Sequence, residues 1–402
     1  MRFLKQLSLK WVLIAVAIMV AYLLVSTGLA KSRSDDFVEL GSEFFKRRDY
    51  RESLAYYNKA VQANPRSALA NYNKGRALAK LHKTAEAVEC FDRTLSLKPK
   101  QNEALEAYVA KGKVLARLGR YKDALECYSR AVRINSHNFE PFLYQGIALS
   151  AMGKDEAAIK SYNQVLQLDS MNIEARYGKG MLLDKMGRHE AASICYEEAV
   201  GFMPSDAEEY NSKGYALMML GRQDQALDQF ERAIQLDPDN IAAYLNKAYV
   251  LREFEIMEQA LECYQQVRQI DPNNITALTN EGQLLKRLGR MEEATLLLQK
   301  VAKLQPSNLD DHRQKVIALI ELGKWNQAVD LLEKVLTNDP HNSMNWYLKA
   351  RAYAHFDKNQ AFNYLKKALT LDPERKNTVA SEADFAALIE DPEFAKLIDY
   401  NP

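Results

Sequence analysis

The chain has 402 residues, 54 basic and 53 acidic side chains, and a formal net charge of +1 at pH 7. Hydrophobic residues make up 47% of it and glycine and proline are few, which excludes a disordered chain. The charge balance argues against nucleic acid as a partner, because phosphate binding requires a clustered basic excess.

The N-terminal end has the pattern of a membrane segment. Residues 1–10 form a basic tail, and residues 11–30 then run without a charge for long enough to cross a bilayer core. We expect an uncleaved transmembrane signal-anchor helix. The alternative is a signal peptide cleaved after Ala30, because Gly28 and Ala30 form a small-x-small pattern. A slight basic excess before the span favours a cytoplasmic N-terminus, with the rest of the chain outside the cytoplasm. We expect the membrane to be a bacterial or archaeal inner or plasma membrane.

The next segment, residues 34–373, repeats one motif. In the copy at 207–240, apolar residues recur at helical spacing on both sides of Gly221, which predicts two amphipathic helices joined by a turn. Similar frames occur 34 residues before and after it, and this period is typical of a stacked helix-turn-helix array. The ten copies centre on a small position in the first helix: Gly41, Gly75, Gly112, Gly146, Gly180, Gly214, Ala248, Gly282, Val316 and Ala350.

Turn and cap residues recur in the same frame. We expect a glycine to end the first helix in a left-handed conformation at Gly119, Gly153, Gly187, Gly221, Gly289 and Gly323. We expect an N-cap at Asn138, Asn172, Asp206, Asn240, Asn274, Asn308 and Asn342, each contributing about 1 kcal/mol. Asn274 also begins a glycosylation sequon, and the cap is the favoured interpretation.

The four cysteines, Cys90, Cys127, Cys195 and Cys263, occupy one equivalent position of four repeats. Equivalent positions in adjacent repeats lie about 10 Å apart. A disulfide requires Cα atoms within about 7 Å of each other. The pattern therefore predicts four free thiols that serve as packing residues.

These landmarks resemble the tetratricopeptide repeat family in length, frame and residue type. The resemblance implies an all-α fold: a right-handed α-solenoid of about ten helix pairs, preceded here by one transmembrane helix. Residues 374–402 are similar to the closing segment of such arrays, and we expect a helical cap there. The implied function is a non-catalytic, membrane-anchored scaffold or adaptor that binds a protein or an extended peptide in its concave groove.

In the family the first helix of each repeat lines the groove. The resemblance places these residues there: Tyr72, Asn73, Arg76, Lys113, Tyr177, Tyr215, Asn246, Tyr249, Arg252, Asn280, Lys286, Arg313 and Arg351. Met181 and Met218 belong to the same set of groove positions, among which Asp184 is the only acid. The basic and aromatic composition favours an acidic or extended peptide. Asn73, Asn246 and Asn280 share one position, from which a side-chain amide can hold a peptide backbone.

No motif predicts catalysis. The sequence has no glycine-rich phosphate loop, no GxSxG and no CxxC. The segment His189–Ser193 lacks the second histidine of a zinc motif. We therefore expect no enzyme, no cofactor, no metal and no small-molecule substrate. Two alternative functions stay open: a periplasmic or secreted adaptor with a cleaved leader, and an accessory subunit of an envelope biosynthesis or export complex.

Overall fold

The computed structural model describes residues 30–340, 342–379, 382–388 and 391–398. Within these ranges the chain is helical and has no strand. The predicted basic tail, and the predicted anchor apart from Ala30, lie outside the described residues. Across the described ranges, every helix is too short or too polar to span a membrane.

The chain divides into two compact units, and the division falls inside α7 (Glu140–Ala151). The first unit, up to Ala148, contains α1 (30–46), α2 (Tyr50–Ala63), α3 (Ala68–Lys80), α4 (Thr84–Ser96), α5 (Gln101–Arg117) and α6 (Tyr121–Ile134). The second unit, from Leu149, contains α8 (Asp155–Leu168), α9 (Ile173–Lys185), α10 (His189–Gly201), α11 (Ala207–Met219), α12 (Gln223–Leu236), α13 (Ile241–Glu253), α14 (Met257–Ile270), α15 (Ile275–Arg287), α16 (Met291–Lys303), α17 (Leu309–Glu321), α18 (Trp325–Asn338), α19 (Ser343–Tyr353) and α20 (Lys358–Leu371).

The small residue of each first helix receives an aromatic or aliphatic side chain from its partner helix. An ideal Cβ on Gly214 would lie 2.6 Å from Cε1 of Phe230, and one on Gly75 would lie 2.8 Å from the same atom of Phe91. Phe230 and Phe91 are fully buried. The paired helices therefore approach more closely than a side chain at the glycine would allow.

The predicted turn glycines and six of the seven predicted N-caps are present. The exception is Asn138, which lies two residues before α7 and accepts a hydrogen bond from the backbone N–H of Glu140 at 2.9 Å. All six turn glycines have φ between 69° and 76°. Non-glycine residues take the same conformation at Arg48, His82 and Glu255, which the sequence pattern did not indicate. The Asn274 side chain accepts a hydrogen bond from the backbone N–H of Ala277 at 3.0 Å, so the N-cap prediction is confirmed there. Equivalent caps begin other helices at Asn172, Asp206, Asn240, Asn308 and Asn342.

All four cysteines are free thiols, as predicted. Cys127, Cys195 and Cys263 are buried, and Cys90 is partly exposed. Burial raises the pKa of Cys263 to about 11. At neutral pH these side chains are protonated and act as small packing groups.

The C-terminal segment packs on the last two repeat helices. It consists of short 3-10 turns at Pro373–Arg375 and Ala383–Leu388 and of two short helices, α21 (Lys376–Val379) and α22 (Pro392–Leu397). Phe385 and Phe394 are buried in a cluster with Tyr347 and Leu365. The segment thus covers apolar surface of α19 and α20.

Candidate partner-binding face

First helices of neighbouring repeats contact one another. In the second unit α9 contacts α11 and α11 contacts α13, and α15, α17 and α19 form a similar run. In the first unit α3 contacts α5. Equivalent residues of these helices therefore line up on one surface in each unit. We call this surface the first-helix face.

In the first unit the predicted groove cations lie against aromatic rings. The Arg76 guanidinium lies 4.5 Å from the ring centroid of Phe45 and 5.7 Å from that of Tyr72. It also donates to Asn73 Oδ1 at 3.3 Å. Lys113 Nζ donates to the Tyr144 hydroxyl at 2.6 Å. Burial raises the pKa of Tyr72 to about 12, so its hydroxyl stays neutral.

In the second unit three tyrosines follow one another across α9, α11 and α13. The rings of Tyr177 and Tyr215 have centroids 4.8 Å apart, and the Tyr177 hydroxyl donates to Met181 Sδ at 3.4 Å. Tyr249 is 45% exposed. Burial raises the pKa of all three tyrosines, so each hydroxyl can donate and accept hydrogen bonds at neutral pH.

The three aligned asparagines have different surroundings. Asn73 is buried and its carbonyl oxygen accepts from Arg76. Asn246 donates to Asn211 Oδ1 at 3.0 Å. The Asn280 amide makes no hydrogen bond within the described ranges. The three therefore do not form a ladder of equivalent free amides.

The predicted groove cations at the C-terminal end are not available as expected, because nearby carboxylates bind them. Lys286 Nζ lies 2.5 Å from Glu321 Oε2. Arg351 is only 7% exposed and pairs with Glu321 at 3.3 Å, Glu382 at 3.0 Å and Asp384 at 2.6 Å.

Arg313 is bound in the same way. It pairs with Asp339 at 3.1 Å and also with Asp310. This part of the first-helix face is therefore neutralised within the chain and exerts little net attraction on an acidic peptide.

Sequence reasoning missed Glu321, because the expectation of Asp184 as the only acid concerned the predicted groove positions alone. Burial alone would raise the pKa of Glu321, but its contacts with Lys286, Arg351 and Gln283 together lower it. The residue stands one position beyond the family's groove position, so no spacing rule indicated it.

Arg252 differs from these cations. Its guanidinium lies 5.5 Å from the Tyr249 ring centroid, and no carboxylate of the described part of the chain is within ion-pair distance of it.

Asp184, two repeats earlier, contacts His189 Nδ1 at 2.6 Å. The nearby Tyr196 is 3% exposed and its hydroxyl has no hydrogen-bond partner among the described residues. Such burial costs about 1–3 kcal/mol.

Two further surface features lie on second helices. An open groove of about 450 Å³ on α16 is lined by Met291 and Leu296. A second open groove, of about 490 Å³, lies on α12 and is lined by Asp228 and Arg232. No group of three or more His, Cys, Asp or Glu side chains in the described ranges could hold a metal ion.

Models of one repeat family match most of the chain. Models described as tetratricopeptide repeat or TPR repeat match residues 38–102, 105–138, 146–187, 173–206, 207–240, 241–274, 275–308 and 313–375. The chain belongs to the tetratricopeptide repeat family. These models describe repeats and indicate no catalytic domain.

Individual relatives are distant. An uncharacterized protein of Methanocaldococcus jannaschii is 35% identical over 66 residues, which cover 16% of this chain and 77% of that protein. The human IFIT1 dimer with m7Gppp-AAAA has a TM-score of 0.50 at 16% identity, over 86% of this chain and 94% of that chain. YrrB, a TPR protein with an unusual peptide-binding site, has a TM-score of 0.32 at 23% identity, over 48% of this chain and 97% of that chain. The likeness to IFIT1 concerns the fold alone.

Proposed function

We propose that this tetratricopeptide repeat protein is a non-catalytic scaffold that binds a protein partner on the first-helix face of residues 173–253. The observation that carries the proposal is the row of Tyr177, Tyr215 and Tyr249, which ends at Arg252, a cation with no carboxylate partner in the described part of the chain. Tyrosine and arginine are enriched in protein interfaces and among their energetically dominant residues. The partly exposed tyrosines offer rigid apolar surface together with neutral hydroxyls.

We further propose that residues 11–30 hold the scaffold at a membrane. The support is the uncharged run itself, which is long enough to span a bilayer. An alkaline wash of isolated membranes tests this, because a spanning chain stays in the pellet. Release of a shortened chain that begins near Lys31 would favour the secreted or periplasmic adaptor.

RNA is not the proposed ligand, although IFIT1 is a structural neighbour with m7Gppp-AAAA. Lys286, Arg313 and Arg351 are occupied by carboxylates of the same chain. The formal net charge is only +1. Phosphate binding would require a clustered cationic surface instead.

A pull-down tests the binding face. Tagged full-length protein is used as bait in detergent-solubilised native membranes, beside a Tyr215→Ala/Tyr249→Ala variant and a Leu296→Ala control. Leu296 is 67% exposed on a second helix, so its truncation removes apolar surface elsewhere. We expect the tyrosine variant to lose a partner that the wild type and the control retain. Equal capture by all three baits would overturn the proposed face.

A further inference from the structure

Two equivalent positions of the first helix form a strip across α9, α11 and α13. One position carries Asp184, Met218 and Arg252, and the position three residues earlier carries Met181, Tyr215 and Tyr249. Residues three apart on a helix share a face. The stacking of Arg252 over Tyr249 agrees with this placement. We call these six residues the dipolar strip.

The strip has opposite charges at its two ends and neutral side chains between them. At one end lies the Asp184 carboxylate, which contacts the exposed His189 imidazole at 2.6 Å. At the other end, Arg252 has no carboxylate partner among the described residues. Met218 and Tyr215 separate the two charges. By contrast, Lys286, at the position of Arg252, and Arg351, at the position of Tyr249, are already paired with carboxylates.

The geometry of the array sets the length of a complementary ligand. Packed helices lie roughly 8–10 Å apart, so two repeat steps from α9 to α13 cover about 16–20 Å. An extended chain advances about 3.3 Å per residue, and about five or six residues therefore cover that distance.

We propose that the dipolar strip binds an extended segment of the partner protein that carries a basic and an acidic side chain about five or six residues apart. The basic side chain pairs with Asp184 and the acidic one with Arg252. Aromatic or aliphatic residues between them contact Met218, Tyr215 and Tyr249. This inference rests on the proposed binding face and specifies the chemistry of the segment that the face recognises.

The test measures fluorescence anisotropy with full-length protein in mild detergent. The probes are three labelled peptides with blocked ends and an identical apolar centre. One carries lysine and glutamate six positions apart, the second carries two lysines, and the third carries two glutamates. The lysine–glutamate peptide can lie on the strip in either chain direction, since only the positions of its two charges matter. The order of lysine and glutamate in the peptide therefore does not affect the comparison of the three probes.

Charge reversal of either end should change which peptide binds best. Wild type should prefer the lysine–glutamate peptide. Arg252→Glu, which leaves two acids on the strip, should prefer the two-lysine peptide, and Asp184→Lys should prefer the two-glutamate peptide, each by about tenfold in Kd. Lys160→Glu makes a similar charge change on the exposed surface of second helix α8 and should keep the wild-type preference.

The outcome separates this inference from the proposed function. If Arg252→Glu and Asp184→Lys keep the wild-type preference, the dipolar strip is not the recognition element. The scaffold proposal then still stands provided that Tyr215→Ala/Tyr249→Ala loses the native partner. If the tyrosine variant retains that partner, the proposed face itself is wrong.

Discussion

At the scale of single residues, Gly214 shows that the close approach of the paired helices depends on the absence of a side chain at this position. A Cβ there would lie 2.6 Å from the Phe230 ring, which has no free space to move into because it is fully buried. Gly201, at the exposed end of α10, has nothing within 4 Å of its ideal Cβ. The two glycines therefore form a matched pair for measuring close packing.

We expect Gly214→Ala to lower the free energy of unfolding by about 1–3 kcal/mol, because the ring must shift. Gly201→Ala should be neutral or stabilise by up to about 1 kcal/mol, since alanine is the better helix former. Urea unfolding followed by circular dichroism measures both. Equal effects of the two changes would show that the helix contact tolerates a methyl group.

Glu281 is a buried carboxylate whose surroundings disfavour its charge. It is 2% exposed, and burial raises its pKa even though Arg268 donates to both of its oxygens at 3.0 Å and 3.1 Å. A folded-state pKa above the unfolded value means that the folded chain holds the proton more tightly. Its contribution to stability is therefore greatest below the unfolded pKa and falls as pH rises through the folded pKa.

We predict that Glu281→Gln removes the loss of stability that accompanies ionisation of Glu281. The amide keeps an acceptor for Arg268 and has no charge to desolvate. Relative to wild type, the variant should gain stability in urea titrations as pH rises above about 4, where an exposed glutamate ionises. A variant that becomes relatively less stable as pH rises would show that pairing with Arg268 outweighs the cost of burial.

The spacing of residues in the sequence predicted much of the fold. The features that it did not predict have physical causes. Turn glycines, caps and free thiols follow from the period because each satisfies a local backbone or packing requirement. His82 and Glu255 adopt the turn conformation without glycine, and the residue after each still donates its backbone N–H to the end of the first helix at 2.9 Å. Pairing of Arg351 with Glu382 and Asp384 depends on where the C-terminal segment folds back, which no local pattern encodes.

At the scale of helices, Glu321 joins three successive first helices. It lies on α17 and contacts Lys286 of α15 and Arg351 of α19. Its pKa is lower than usual, so its stabilising effect is present above the unfolded pKa and is lost as pH falls through the folded pKa.

We expect Glu321→Gln to destabilise the chain by about 1–3 kcal/mol at pH 7, since charged hydrogen bonds are lost. The difference from wild type should shrink as pH falls below about 4, where glutamate is increasingly protonated. Thermal unfolding across this pH range measures the effect. A difference that does not change with pH would mean that shape, rather than charge, makes Glu321 important.

At the scale of the whole molecule, each repeat gains its stability mainly from its neighbours. The C-terminal cap should therefore protect the last repeats and have little effect on distant ones. Phe385 and Phe394 are its largest fully buried side chains among the described residues, and their ring centroids lie 5.8 Å apart.

We predict that Phe385→Ala removes about 3–5 kcal/mol of local stability, as expected for a buried aromatic ring. Hydrogen exchange should accelerate in α19 and α20 and remain unchanged in α11–α14. A uniform acceleration along the second unit would instead show that its repeats unfold together.

The thiols at one repeat position have a further consequence. Cys127 lies in the first unit and Cys195 and Cys263 in the second, each shielded inside its own helix pair. A thiol reagent can reach such a sulfur only when that helix pair opens. The labelling rate of each cysteine would therefore report how often its part of the array opens locally.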